Sequence, residues 1–331
     1  MTSRSHGTTR FGATRRARTA ALVFALLASC AIFAELLAAD APLVVVGRSG
    51  VEVMLAIRQR ARYAGLTREA IDELHAADQV LWPLVRSGPE RVTTPRLAAS
   101  LEHPLGTDSD GRDVFAGLVH GARSALVRSL VLLVVSVALG VLLGGFAATV
   151  GGLWDEVVAR PIEVIQAFPT VVVVAILSAT MPGHSAWVLG LALTAARTAE
   201  VARVVRTDAL RLMTMDHVVA ARALGATWWR IIQRHVWPDV AGPVAAMAAT
   251  AVPALIVLEA SLAFLGVDLP TSWGTMIAKG FAPGGSSWAA AAALTALVVT
   301  ASGAWVLAAE VERVLNPRSQ RRAARQPRGA S

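Results

Sequence analysis

Few residues in this chain have the types and spacing that enzyme chemistry needs. Gly183, His184 and Ser185 have the spacing of a nucleophile turn, but no His-Glu-x-x-His pattern is present. The one cysteine, Cys30, excludes an internal disulfide and a cysteine-based zinc site. Lys279 is the only lysine, and no phosphate-binding loop of the Gly-x-x-x-x-Gly-Lys-Ser/Thr type surrounds it. A membrane-embedded hydrolase is a minor alternative; we expect no catalytic residue, cofactor or metal, and we expect any ATP hydrolysis on a separate polypeptide.

The composition is that of a membrane protein. Hydrophobic residues make up 55% of the 331 positions, charged residues make up 16%, and the mean hydropathy is +0.55. Soluble domains of this length are much more polar, so the bilayer must be part of the solvent. The net charge of +8 comes from arginine without aromatic residues interleaved on a soluble face, which is a weak indication of nucleic-acid binding. We therefore expect a lipid partner and no nucleic acid.

Six apolar runs approach the roughly 20 residues that cross a hydrocarbon layer of about 30 Å. The runs are continuous rather than alternating, which favours helices over a barrel because a helix satisfies its own backbone hydrogen bonds in lipid. The simplest interpretation is an all-α membrane protein with six transmembrane helices. The runs are residues 20–39, 126–150, 162–181, 186–206, 240–266 and 288–311.

The first apolar run has two interpretations. The sequence Leu27 to Cys30 resembles a lipoprotein cleavage box, and Arg15-Arg16 resembles a twin-arginine signal. The apolar character continues past Cys30 to Leu37, which gives a length that spans the membrane. This continuity favours a retained first helix over residues 20–39.

The arginine distribution predicts the orientation and the organisation of the chain. The basic arm at 1–19 and the basic tail at 313–331 are expected in the cytoplasm, as an even number of helices requires. Residues 40–125 would form an external segment ending in an interfacial helix. Residues 126–312 would form a five-helix core, with a cytoplasmic loop at 207–239 that carries four further arginines.

Within the external segment, patterns predict small helices on the outer membrane face. Residues 51–63 mix apolar and arginine positions at helical spacing, and residues 67–78 open with a helix-start signal. Residues 87–104 contain three prolines and are expected to be irregular. The sequence shows no internal repeat and no second soluble domain.

The segment from Asp216 to Asp239 is too polar to span a membrane, and its apolar residues are spaced too regularly for an unstructured loop. It predicts two short helices: an apolar, small-residue face in the first, a stop at Gly225, and a second helix that begins near Trp228 and ends at Pro238. Small residues beside a glycine allow another protein to approach the backbone, and the arginines offer charge-assisted contacts. The alternative is an amphipathic connector that lies on anionic lipid.

This segment resembles the cytoplasmic loop of permeases of binding-protein-dependent ABC importers, whose pattern runs from Glu-Ala-Ala through Gly to Ile-x-Leu-Pro. Val219 and Trp237 replace the glutamate and the leucine, and His235 replaces the isoleucine, while the alanines, glycine and proline stay in register. The resemblance implies that the loop docks an ATPase. The implied docking residues are Val219, Ala220, Ala221, Arg222, Gly225, Ala226 and Pro238.

Two further segments are similar to the dipeptide/oligopeptide/nickel subfamily of these permeases. One runs from His103 to Phe115 and on to Leu126, before the second predicted helix; its motif residues are Gly106, Thr107, Asp108, Gly111, Arg112 and Asp113. Together with Asp110, Arg123 and Gly121 they suggest a tight turn whose charges pair with one another. Two interpretations of this motif remain: it is a structural cap, or it contacts the substrate.

The other segment runs from Leu258 to Val267 and continues to Gly274. Glu259 lies in an apolar helix, where an ionisable group is costly, so it either lines the path or pairs with a neighbouring subunit. Pro169, after Phe168, could kink the third helix at the path.

The resemblance implies the fold and partners of a type I ABC importer permease of the MetI-like kind. It implies a heterodimer with a second, similar permease, two cytoplasmic ATPase subunits docked on the coupling loop, and an external solute-binding protein that delivers peptides or similar solutes. The alternative is a secondary transporter, which would need inverted repeats and matching broken helices that the sequence does not show.

Overall fold

A computed structural model describes residues 15–47, 50–53, 66, 68–76, 79–180, 185–267, 269 and 271–315, and these residues are mostly helical. They form two compact units. Of the described residues, those within 15–23, 129–255 and 301–315 form the first unit, and those within 24–128 and 256–300 form the second. The helices are α1 (Arg15–Ile32), α2 (Ala34–Leu37), α3 (Arg68–Leu74), α4 (Val114–Val150), α5 (Leu153–Ala167), α6 (Thr170–Thr180), α7 (Ser185–Met213), α8 (Asp216–Ala223), α9 (Trp228–Ile231), α10 (Trp237–Phe264), α11 (Trp273–Phe281) and α12 (Ser287–Leu315).

By length and composition, three helical stretches within the described ranges could cross a membrane. They are α4, the continuous stretch Trp228–Phe264, and α12. The pair α5 and α6 adds a fourth candidate if it is one broken span. The apolar part of α1, Ala21–Ile32, is shorter than a span, and the apolar pattern of α7 is interrupted by charged residues such as Arg197 and Glu200. The count of six transmembrane helices therefore remains a prediction.

The helix breaks between α5 and α6 at Pro169, where the sequence predicted a kink. Phe168 is extended, with φ −108° and ψ 139°, and the two helices diverge by 83° on either side of Pro169. A residue before proline is driven out of the helical region, and proline itself donates no backbone hydrogen bond. The result is a sharp corner rather than the kink within one helix that the sequence suggested.

The first unit is held together by close contact between α4 and α7. A Cβ atom added at Gly140 would lie 2.5 Å from Cβ of Val201, and one at Gly144 would overlap the carbonyl oxygen of Ala202. These glycines therefore let the two helix backbones approach, as small residues do in membrane helices. Beside them, Ile162 of α5 packs with Ala199 and Ala202.

The second unit contains a small antiparallel sheet that the all-α prediction missed. Its order is β2-β1-β3, formed by Val44–Gly47 (β1), Gly50–Val53 (β2) and Gln79–Leu81 (β3). Val45 packs on Ala41 and on Ile71 of α3. Valine-rich segments favour pleated strands because β-branched side chains pack well there. The predicted helix at 51–63 is therefore wrong for residues 51–53, and its residues 54–63 lie outside the described ranges.

Two other expectations for this unit agree with the structure. Helix α3 falls within the predicted helix at 67–78, and residues 87–104 contain no helix or strand. The chain then turns through the motif before the second apolar run and enters α4 at Val114.

Candidate coupling site

Helix α8 ends at a glycine that its backbone conformation requires. Gly225 has φ +84°, a left-handed value that favours glycine. Its N–H donates to the carbonyl of Arg222 at 3.0 Å, and the N–H of Ala226 donates to the carbonyl of Ala221 at 3.1 Å. These two bonds are the Schellman pattern that satisfies the last carbonyls of a helix. The helix stop predicted at Gly225 is present.

One side of α8 is anchored in the first unit, and the other is open. We call residues 216–239 the coupling segment. Val218 is buried, and it belongs to a hydrophobic cluster that we call the lever core. The lever core comprises Val141 and Ala148 of α4, Val201, Val205, Ala209 and Leu212 of α7, Val218, Ile231 and Val236 of the coupling segment, and Val240 and Val244 of α10.

The open side of α8 carries the residues implied in docking. Val219 is 52% exposed and Leu224 is 89% exposed. Ala220, Arg222 and Gly225 are also exposed, while Ala221 and Ala226 are half-buried. The prediction that Val218, Val219, Ala221, Ala223 and Leu224 form one apolar face is therefore wrong. Val218 is buried in the lever core and Ala221 is half-buried, while Val219, Ala223 and Leu224 are exposed.

The second helix of the segment does not end at Pro238. Helix α9 passes into a π turn, Ile232–Val236, and then directly into α10, so that Trp228–Phe264 is one helical stretch. The N–H of Trp237 donates to the carbonyl of Ile232, five residues back. We attribute the tolerance of Pro238 to this register change, since a π turn relieves the α-helical hydrogen-bond ladder where proline offers no donor. Pro238 itself is exposed.

The motif before α4 folds into a cap for that helix. Asp113 is buried, and its Oδ1 accepts the N–H of Ala116 at 2.8 Å, in the position of an N-cap. Its Oδ2 lies 2.6 Å from Nδ1 of His103. Thr107 donates its hydroxyl to the carbonyl of Thr94 at 2.7 Å. Asp108 accepts the N–H groups of Asp110 and Arg112, each at 2.8 Å.

Two glycines of this motif have no room for a side chain. Gly106 and Gly111 have φ +71° and +81°. A Cβ at Gly106 would overlap the carbonyl oxygen of Leu97, and one at Gly111 would overlap that of Thr93. The loop at 93–97 is thus fastened against the turn.

Two charges of this motif, Asp110 and Arg123, pair with other elements and not within the motif as expected. Lys279 of α11 lies 2.8 Å from Asp110, and Glu35 of α2 lies 2.8 Å from Arg123. The hydrogen bond from Lys279 is the main cause that lowers the pKa of Asp110 below its ordinary value. This stabilising contribution is therefore present above the ordinary carboxyl pKa and is lost as the pH falls through the lowered one.

Asp113→Ala is expected to lower the free energy of unfolding by about 1–3 kcal/mol, because it removes the cap of α4 and leaves a buried imidazole without its partner. Thermal unfolding of the purified chain in detergent measures this. Asp110→Ala is the matched control: its pair with Lys279 is exposed, so we expect a loss below about 1 kcal/mol. Equal losses for the two variants would contradict the capping role.

Glu259 has a partner within the second unit. It is 5% exposed, and its Oε1 accepts from Nη2 of Arg128 at 2.5 Å and from Nε at 3.1 Å. The pair joins α4 to α10. A neighbouring subunit is thus not required to satisfy this carboxylate.

The residues that the structure describes contain no group of three or more His, Cys, Asp or Glu side chains placed to hold a metal. Gly183 and His184, which suggested a nucleophile turn, lie outside the described ranges.

Comparison with known protein families shows to which family the chain belongs. The family of binding-protein-dependent transport system inner membrane components matches residues 140–314, which include the coupling segment and reach the last turn of α12. The chain belongs to this family. It is therefore a multi-pass inner-membrane permease subunit of an ABC importer and not itself an enzyme, since the ATPase activity of these importers lies on separate subunits.

The relatives of this inner membrane component are permeases named for peptide transport. A putative peptide transport system permease of Brucella suis is 35% identical over 230 residues, which cover 68% of this chain and 76% of that protein. The dipeptide permease DppC of Bacillus subtilis is 34% identical over 58% of this chain and 60% of its own length. The oligopeptide permease OppC of the same organism is 32% identical over 55% and 60%. None of these three relatives is named as a secondary transporter.

Sequence reasoning missed three contacts of this inner membrane component. Arg128 lies inside an apolar run, so its charge already signalled a buried partner, although not which one. Asp155 of α5 accepts two hydrogen bonds from Arg206 of α7, both at 2.6 Å. The third contact is an aromatic group around Phe146, whose members are 82 residues apart at the extremes and carry no local signal.

Proposed function

We propose that this chain is one of two membrane-spanning subunits of an ATP-driven peptide importer, and that α8 is the surface on which an ATPase docks. The names of the three relatives, all peptide permeases, support the substrate class. An external solute-binding protein would deliver the peptide. A second permease and two cytoplasmic ATPase subunits would complete the assembly.

The observation that carries the proposal is the two-sided placement of α8. Its outer side offers Val219, Ala220, Arg222 and Leu224 to a partner, while Val218 fixes its inner side in the lever core. Packed protein interiors resist compression and transmit displacement. A push on the outer side would therefore move the attached parts of α4, α7 and α10 together, which is how rigid-body tilting changes access to a path.

Val219 stands where the family pattern has a glutamate, and it makes the proposed docking surface apolar at that position. Val219 offers an exposed apolar side chain where an acidic group would offer a charge. The exposed residues beside it are Leu224 and Arg222. We infer that docking here depends on apolar burial, with charge-assisted hydrogen bonds from Arg222.

The orientation that this function needs is also a proposal. The arm at 1–19, the loop at 207–239 and the tail at 313–331 would be cytoplasmic, and residues 40–125 would be external. The excess of arginine in the first three supports it.

A tag placed near Arg322 should resist protease added outside sealed cells. The reason is that the basic tail would lie on the cytoplasmic side. Immunodetection of the tag before and after digestion measures this, with a tag inserted near Leu101, which is fully exposed, as the control that should be cut. Digestion of the tail tag in sealed cells would overturn the orientation.

Co-purification tests the docking proposal itself. Affinity capture of this chain, co-expressed with the ATPase and permease proteins encoded beside it, should retain the ATPase subunits. Transport in vesicles should stop when the catalytic glutamate of the ATPase is replaced. A chain that moves its solute without any ATPase present would overturn the assignment.

A further inference from the structure

Helix α5 meets the coupling segment through aromatic rings, not through the lever core. The ring of Phe146, near the end of α4, lies 6.0 Å from that of Trp154 at the start of α5, with an interplanar angle of 72°. It lies 5.5 Å from the ring of Trp228 at the start of α9, at 87°. We call Phe146, Trp154 and Trp228 the aromatic junction. Edge-to-face pairs at these separations attract beyond the burial of their area.

The covalent link between α4 and α5 transmits little force by itself. It consists of Gly151 and Gly152, with φ +71° and +60°, and a Cβ added at either would meet nothing within 4 Å. Such a connection is a hinge that packing does not hold. Helix α5 is also tied to α7 by Asp155 and Arg206 and by Ile162, and α7 reaches the coupling segment through the lever core. The rings give α5 a second, separate link to that segment.

We propose that the aromatic junction is the positioning element that makes α5 follow the coupling segment. This inference rests on the proposed docking of an ATPase on α8. Phe146 contacts both tryptophans, so displacement of Trp228 with α9 moves the ring against which Trp154 rests. Across the glycine hinge, the entry of α5 and the corner at Pro169 beyond it then shift with each cycle of the ATPase.

The exposure of the tryptophans has a competing explanation that makes a different prediction. Trp154 is 56% exposed and Trp228 is 42% exposed, and tryptophans at such positions anchor helices at the membrane–water interface. Anchoring acts on each tryptophan separately. A junction acts through the pair, so its effect must depend on Phe146.

The test uses the complete importer, with both permeases, the ATPases and the binding protein, in sealed vesicles. Three quantities are measured for each variant: ATPase retained on affinity capture, ATP hydrolysed, and solute taken up. Trp154→Leu and Phe146→Leu should retain the ATPase and hydrolyse ATP, while solute taken up per ATP falls about 2- to 10-fold, the range expected from one aromatic pair. Trp154→Phe, which keeps a ring, should recover most of the loss.

A double-mutant cycle gives the decisive result. Phe146→Leu/Trp154→Leu should couple no worse than the poorer single variant. Losses that multiply would overturn the junction and favour separate anchoring, and so would unchanged uptake per ATP in both single variants. Loss of ATPase retention in Trp154→Leu and Phe146→Leu would show that the rings only hold α8 in place. That result would also overturn the proposed junction. If the unaltered chain fails to retain the ATPase, the docking proposal fails instead.

Discussion

Replacing Arg128 by methionine should lower the free energy of unfolding by about 3 kcal/mol, because it leaves the carboxylate of Glu259 buried without its partner. The Glu259 side chain is 6% exposed and that of Arg128 is 30% exposed, so the carboxylate has little access to water. Glu259→Gln should cost less, about 1–2 kcal/mol, since a neutral amide keeps one acceptor for the guanidinium. Unfolding in mixed detergent micelles, followed by helicity, measures both.

The double variant Arg128→Met/Glu259→Leu makes this prediction specific. It removes both charges, and an apolar replacement of a buried ion pair is often nearly neutral. Its loss should therefore be clearly smaller than the sum of the two single losses. Arg160→Met is the control, because the pair of Arg160 with Glu163 is exposed and should contribute below about 1 kcal/mol. Additive losses in the cycle would show that the two residues act independently.

Gly225→Val should reduce ATPase retention on affinity capture about 5- to 100-fold. A β-branched residue held at φ +84° stores about 1–3 kcal/mol of backbone strain. The chain can relieve this strain by undoing the end of α8, which displaces the exposed residues beside it. Since a Cβ at this position meets nothing within 4 Å, insertion into the membrane should not change.

Two controls separate local strain from general damage. Gly225→Asn should keep most of the retention, because asparagine tolerates the left-handed conformation. Gly284→Val places the same strain at φ +78°, again with nothing within 4 Å, in a turn of the second unit, and should leave ATPase retention unchanged. Normal retention by Gly225→Val would count against α8 as the docking surface.

Some local features of the chain were predictable because a few neighbouring residues determine them. The stop at Gly225 follows from a glycine after a run of helix formers, and the interruption at Pro169 follows from the geometry of proline, although it is a corner and not the predicted kink. The helix end predicted at Pro238 was wrong, because α9 continues into α10. The periodic helix at 67–78 likewise needed no distant contact to be recognised. The docking role of Val219 through Ala226 was carried by the family resemblance and stays a proposal.

The features that sequence reasoning missed depend on residues far apart in the chain. Val218 and Val219 are neighbours of the same type, and only the lever core makes one buried and the other exposed. The charges around Asp110 were expected to pair locally, but the structure gives them partners such as Lys279, 169 positions away. The strands at 44–81 required pairing across the chain, which a helical pattern at 51–63 concealed.

By itself, the sequence determined that this protein is a membrane protein, where several of its helix ends fall, such as the stop at Gly225, and which three segments are functional candidates. Apolar length, glycine and proline act within a few residues, so these properties need no knowledge of the fold. The tertiary structure alone decided that Glu259 faces Arg128, that α9 runs on through Pro238 into α10, and that Phe146 joins two tryptophans. Those contacts arise from packing between helices, and packing selects partners by shape and charge across the whole chain.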